Sequence, residues 1–204
     1  QLHDCSMEHE QFRYPIDHIT GFLVLHDGQW EFRDLAGSND SAVIRGFGDW
    51  RTDGLQKRLT LKFDAQDVPL ADELRQALAP SAQRLWTQMQ PRGSLDFLSV
   101  GLTYDALARD WSVDIQAEKR PVAASADGRS IALRPTWFAY DMSNVTGAFR
   151  YRDGHMDLLN LRAEHGKATL AAEGHGDIDP AIGFRLHLTH LAADRVQADG
   201  DLHS

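Results

Sequence analysis

Two stretches of the chain carry one pattern, 126 positions apart. Tyr14 to Gly48 reads YPIDHITGFLVLHDGQWEFRDLAGSNDSAVIRGFG, and Tyr140 to Gly174 reads YDMSNVTGAFRYRDGHMDLLNLRAEHGKATLAAEG. In this register Tyr14 falls on Tyr140, Thr20-Gly21 on Thr146-Gly147 and Asp27-Gly28 on Asp153-Gly154. Leu35 falls on Leu161, Ala42 on Ala168 and Gly48 on Gly174. After one inserted residue the match resumes, with Leu59-Thr60-Leu61 on Leu186-His187-Leu188, Ala65 on Ala192 and Asp67 on Asp194. A repeat of this length requires both copies to form one supersecondary unit. The recurring positions are turn residues and apolar side chains, so the repeat speaks to architecture and not to chemistry.

The unit reads as a β-meander. Asp27-Gly28 and Asp153-Gly154 stand between apolar-rich runs, where a tight hairpin turn needs positive φ. Val145, Gly147, Phe149 and Tyr151 alternate with Thr146, Ala148, Arg150 and Arg152. Leu59, Leu61, Phe63 and Ala65 alternate in the same way with Arg58, Thr60, Lys62 and Asp64. One apolar and one wet face mark an antiparallel sheet packed on one side only. Strands are expected at about 16–26, 29–36, 41–49 and 57–66, and again at 144–152, 155–162, 167–174 and 184–192. Between the copies, Asp72-Glu73 suits a helix start, and Leu70, Leu74, Ala77 and Leu78 share a helical face. Pro80 should stop that helix, and Ser81 should cap a second one carrying Leu85, Trp86 and Met89. Strands return at Leu95 to Tyr104, Trp111 to Glu118, Ile131 to Leu133 and Trp137 to Tyr140, with an Asp127-Gly128 turn. The chain thus divides into a first meander (1–68), a helical insert (69–93), connecting hairpins (94–139) and a second meander (140–204).

Composition removes several function classes. A net charge of −9 opposes a nucleic-acid surface, which needs clustered Lys and Arg. No apolar run approaches the roughly 18 residues of a membrane span, and no signal-peptide pattern opens the chain. The single Cys5 forms no intrachain disulfide. Ten histidines suggest a metal only if they converge, and His187 and His190, three apart on a strand, should face opposite ways. Asp177-Ile178-Asp179 reads as a hairpin turn with Pro180. Trp30, Trp50, Trp86, Trp111 and Trp137 are scattered one per element and read as core or groove lining. There is no phosphate loop, nucleophile elbow or selected carboxylate pair, so the chain reads as non-catalytic and without a cofactor.

The run Leu59-Thr60-Leu61-Lys62-Phe63-Asp64-Ala65-Gln66-Asp67-Val68-Pro69-Leu70 resembles the AsmA and TamB class of bacterial envelope proteins. So do the Thr-Gly-x-x-x-x-x-Asp-Gly hairpins and Leu161-Arg162-Ala163-Glu164-His165-Gly166-Lys167-Ala168-Thr169-Leu170. The resemblance covers Tyr14 to about Val196 and implies a strongly curved antiparallel sheet. It implies a periplasmic or cell-envelope location, and a role in outer-membrane biogenesis or phospholipid transport. The partners implied are phospholipid acyl chains, with membrane association only through other parts of a longer parent chain. Exposing an acyl chain to water costs about 0.8 kcal/mol per CH₂, which a continuous apolar lining avoids. The expected lining is Leu59, Leu61, Phe63, Trp111, Val113, Ile115, Phe149, Tyr151, Leu186 and Leu188. The competing expectation is a structural repeat domain in which these residues form a closed core with no ligand.

Overall fold

A computed structural model describes residues 1–9, 12–78, 80–121, 129–137, 140–179 and 183–195. Its strands are β1 (Leu2–His9), β2 (Phe12–His26), β3 (Gln29–Asn39), β4 (Ala42–Asp53) and β5 (Gln56–Pro69). Helices α1 (Asp72–Ala77) and α2 (Pro80–Met89) follow, then β6 (Ser94–Asp105), β7 (Asp110–Lys119) and β8 (Ile131–Leu133). The chain closes with β9 (Met142–Arg152), β10 (His155–His165), β11 (Ala168–Asp179) and β12 (Gly183–Asp194). All pair antiparallel in one open sheet of order β1-β2-β3-β4-β5-β6-β7-β9-β10-β11-β12. β8 extends the line of β7 along the same edge of β9.

The two copies match bulge for bulge. In the first, β2 meets β3 at Asp17↔Ser38, Thr20↔Ala36 and Phe22↔Arg33. In the second, 126 positions on, β9 meets β10 at Ser143↔Glu164, Thr146↔Arg162 and Ala148 with Leu159. The next pair of strands slips at corresponding places, between Phe32 and Leu35 and between Leu158 and Leu161. Left-handed residues recur with them: His18 and Asn144, Asp27 and Asp153, Asp34 and Asn160. Each bulge bends and twists its strand, so the copies share curvature as well as order.

The expected alignment needs one correction beyond Leu188. A further slip between Glu173↔His190 and Gly174↔Leu188 makes Thr189 an extra residue. From there Phe63 corresponds to Leu191 and Ala65 to Ala193, and the left-handed Asp67 corresponds to the left-handed Arg195. The same bulge returns His190 to the face of His187, against the expectation from a spacing of three.

The strands are longer than their apolar cores suggested, since β4 and β5 run on through Asp53 and Gln56 at a charged hairpin tip. Asp177-Ile178-Asp179 belongs to β11 and not to a turn. β1, which precedes the first expected strand, forms one edge of the sheet. Pro80 opens α2, where its missing N–H costs nothing; Ser81 is therefore inside the first turn and not a cap. Trp137 lies in a turn and not in a strand. Asp127-Gly128 falls outside the described residues.

The hairpin turns at 27–28, 54–55, 106–109 and 153–154 lie at one end of the sheet. The two long connections, 70–93 and 120–141, lie at the other, where they bond to each other through Arg92 and Ala132, Met89 and Arg134, and Gln88 and Thr136. Glu73 of α1 accepts a bond from Asn39 of β3 (3.2 Å). Leu74 and Ala77 are buried, and Trp86 packs on the same cluster with Ile16, Ile19 and Leu98. α1 rests against β2, while α2 reaches β11 and β12. Eight strand steps would span about 38 Å in a flat sheet, whereas helices of six and ten residues measure roughly 9 and 15 Å. This reach is consistent with a sheet curled towards the helix pair.

Candidate functional site: the apolar face of the sheet

Directly opposed residues in an antiparallel ladder share a face, so the registers place every expected lining residue. Ile115 is opposite Tyr151 on one side and Val100 on the other; Phe63 follows Val100, and Gly46 follows Phe63. In the other direction the row continues through Met156 and Gly176 to Leu186. A second row runs Ala65, Leu98, Ala117, Phe149, Leu158, Gly174, Leu188. A third joins Leu61, Leu102 and Val113, and a fourth joins Leu59, Tyr104 and Trp111. All ten candidates therefore lie on one face, from β5 to β12, and it is the face that carries the helices.

That face is covered unevenly. Of the ten, only Leu61 is buried, at 8% exposure. Leu59, Phe63, Trp111, Val113, Ile115, Phe149 and Tyr151 are half-buried, and Leu186 and Leu188 are exposed at 37% and 40%. Glycines opposite large side chains set the depth: the Phe63 ring occupies the space beside Gly46, whose added methyl would stand 2.7 Å from Phe63 Cδ1. Beneath β1 the face ends in an apolar cavity of about 150 Å³ walled by Cys5, Met7, Ile16, Ile19, Ile44 and Phe63.

The row nearest the hairpin turns was not legible in the sequence. It reads Leu25, Trp30, Trp50, Leu59, Tyr104, Trp111 across six successive strands. The Tyr104 and Trp111 rings lie 4.9 Å apart. Three of the five tryptophans thus meet in one line, although the sequence spreads them over 82 positions. Hairpin symmetry pairs Leu25 with Trp30 and Trp50 with Leu59, but Trp30 meets Trp50 only through the slip between Phe32 and Leu35.

The opposite end holds an enclosed ion pair beside the helices. Lys119 Nζ, on a side chain 3% exposed, donates to Asp96 Oδ1 at 2.8 Å, and Arg120 N–H donates to Asp96 Oδ2 at 2.7 Å. Burial alone would push the Asp96 carboxyl up, but these bonds hold it below its ordinary value. A recess of about 690 Å³ adjoins it, lined by Lys119, Arg162 and Glu164 together with Val145, Leu170 and Ala193. Beside α1, burial and then the charges of Glu73 and Asp40 push the Tyr14 hydroxyl up to about 12.

The wet face holds a histidine line. His155, His175 and His187 lie side by side across β10, β11 and β12, with ring centroids 6.1 and 5.2 Å apart. His155 bonds Asp177 at 3.0 Å, which raises its pKa. Among the described residues no group of three or more His, Cys, Asp or Glu side chains is arranged to hold a metal ion. No helix among them is long and apolar enough to cross a membrane. The chain matches no protein-family model, no curated protein and no solved structure.

Proposed function

We propose that the chain is a non-catalytic segment of an AsmA-like envelope protein whose apolar sheet face is a groove for phospholipid acyl chains. One observation carries this reading: ten apolar side chains from β5 to β12 form continuous cross-strand rows on a face that two short helices cover only at one end. A continuous apolar strip that is left only partly covered supports an interaction surface. The aromatic row Trp30, Trp50, Tyr104, Trp111 forms the rim at the turn end, where rings with polar edges suit the passage from water to hydrocarbon. The polar pair Asp96–Lys119 and the helices close the other end. The closed-core scaffold reading draws on the burial of Leu61, Leu98, Val100 and Leu102 beneath the first copy.

The test is to purify the chain from a bacterial envelope fraction without detergent and to extract it for mass spectrometry. Stoichiometric phospholipid or fatty acid supports the groove. Its absence, together with no uptake of a fluorescent fatty acid by the folded chain, supports the scaffold.

A further inference from the structure

One row of the apolar face runs into a cavity. From Tyr151 it passes through Ile115, Val100 and Phe63 to Gly46 and Leu35. Phe63, Gly46 and Leu35 are also walls of the space of about 150 Å³ beneath β1. A methyl on Gly46 would stand 2.7 Å from Phe63 Cδ1, and one on Gly37 would stand 2.7 Å from Ile16 Cγ2. Both side chains therefore lean into room that a Cβ would take, and the cavity lies between them and β1. The second copy has Ala172 and Ala163 at these two glycine positions.

β1 supplies the cover. Leu2, Cys5 and Met7 are half-buried and line the cavity, while His3, Asp4 and Glu8 are exposed. Among the described residues that line it none is charged, and Ser6 carries the one hydroxyl. A bound water needs two to four polar partners, whereas an apolar cavity of this size stays dry and takes a small hydrocarbon. The space suits the end of an alkyl chain and not the whole of one.

We propose that the cavity seats the methyl end of an acyl chain lying along this row. The lipid then has one direction, with its carboxyl end farther along, towards Ile115 and Tyr151. A methylene seated there is covered by β1 as well as by the sheet, so more of its surface leaves water than in the uncovered part of the groove. The inference rests on the groove reading and adds an orientation to it.

The probes are two palmitic acid analogues, one with a diazirine at the methyl end and one with it beside the carboxyl group. Each is irradiated on the whole chain, and labelled peptides are identified by mass spectrometry. The methyl-end probe should label residues 2–7 and 16–37 at least tenfold more than the carboxyl-end probe does. Equal labelling there overturns the proposal, and the groove itself still stands where both probes label β6, β7 and β9. No labelling of any strand by either probe overturns both. The single thiol gives a second reading on the unaltered chain: saturating palmitate should slow alkylation of Cys5 by N-ethylmaleimide at least fivefold. Unslowed alkylation overturns the proposal as well. Cys5→Phe, which fills the cavity, should abolish methyl-end labelling of residues 16–37, and a folded variant labelled as strongly as the parent contradicts the assignment.

Discussion

Leu35 lies over Gly21, and its copy Leu161 lies over Gly147: a methyl on either glycine would stand 2.8 Å from the leucine Cδ2. Both glycines have positive φ, +148° and +127°, at the bulge where the strand bends. The repeated Thr-Gly and the repeated Leu fourteen residues later are thus one device, a strained backbone position locked by a side chain from the next strand. Gly21→Ala and Gly147→Ala should each cost about 2 kcal/mol or more, from strain plus overpacking. Gly28→Ala has positive φ but open space around it and should cost only about 1 kcal/mol. Thermal unfolding of the three variants checks the order.

Trp86 joins α2 to the core cluster on the apolar face. Trp86→Ala should destabilise by about 2 kcal/mol, less than a fully buried tryptophan. In a chain of this size that lowers Tm by roughly 4–8 °C. A change within error would mean that the helix pair rests on the sheet without stabilising it.

The Asp96–Lys119 pair is the most enclosed ion pair described, with the ammonium side chain 3% exposed. Asp96→Ala strands that charge and should cost about 3 kcal/mol, as one-sided removal of a buried pair does. Arg51→Ala removes a side chain that is 68% exposed beside Asp49 and should cost under about 1 kcal/mol. Because the Asp96 pKa is lowered by folding, its contribution is present above the unfolded carboxylate range and is lost as pH falls through the folded value. Denaturant unfolding of Asp96→Asn should therefore show a shallower decline in stability below pH 4 than the parent.

His18 Nδ1 meets Asp4 Oδ1 at 2.8 Å across β1 and β2. This hydrogen bond, and then the charge of Asp4, raises the His18 pKa above 6.5. A raised value stabilises fully below the unfolded pKa and less as pH rises through the folded one. Hydrogen exchange in β1, normalised for intrinsic rate, should be slower at pH 6 than at pH 8. His18→Asn should remove that difference.

The architecture was legible because it is written twice and in period two. Alternation along Leu59 to Ala65 and Trp111 to Ala117 put those side chains on one face, and the Asp-Gly turns marked the β2–β3, β4–β5 and β9–β10 hairpins. What escaped came from bulges and from pairing. An inserted Thr189 carries no propensity signal of its own, yet it shifts every later residue of β12 by one face, taking His190 to the wet side and Leu191 to the apolar one. The aromatic rim escaped because Trp30 and Trp50 become partners only when β3 and β4 pair with a slip between Phe32 and Leu35. Whether Ile115 is covered depends on the curl of eleven strands and the seat of two helices, which no local pattern encodes.

Ile115 sits mid-sheet, half-buried, in the row that runs from Phe63 to Leu186. It is a better probe than Phe63, whose ring fills the space at Gly46. An aspartate in an open groove keeps its water, whereas one forced into a closed core costs several kcal/mol, comparable to the whole stability of a domain. The most direct measurement is therefore thermal unfolding of Ile115→Asp beside the parent, with bound lipid quantified in both by extraction and mass spectrometry. The groove predicts a parent that carries lipid and a variant that melts within a few degrees of it with the lipid gone. An unfolded variant, or a folded parent that never carries lipid, would contradict it.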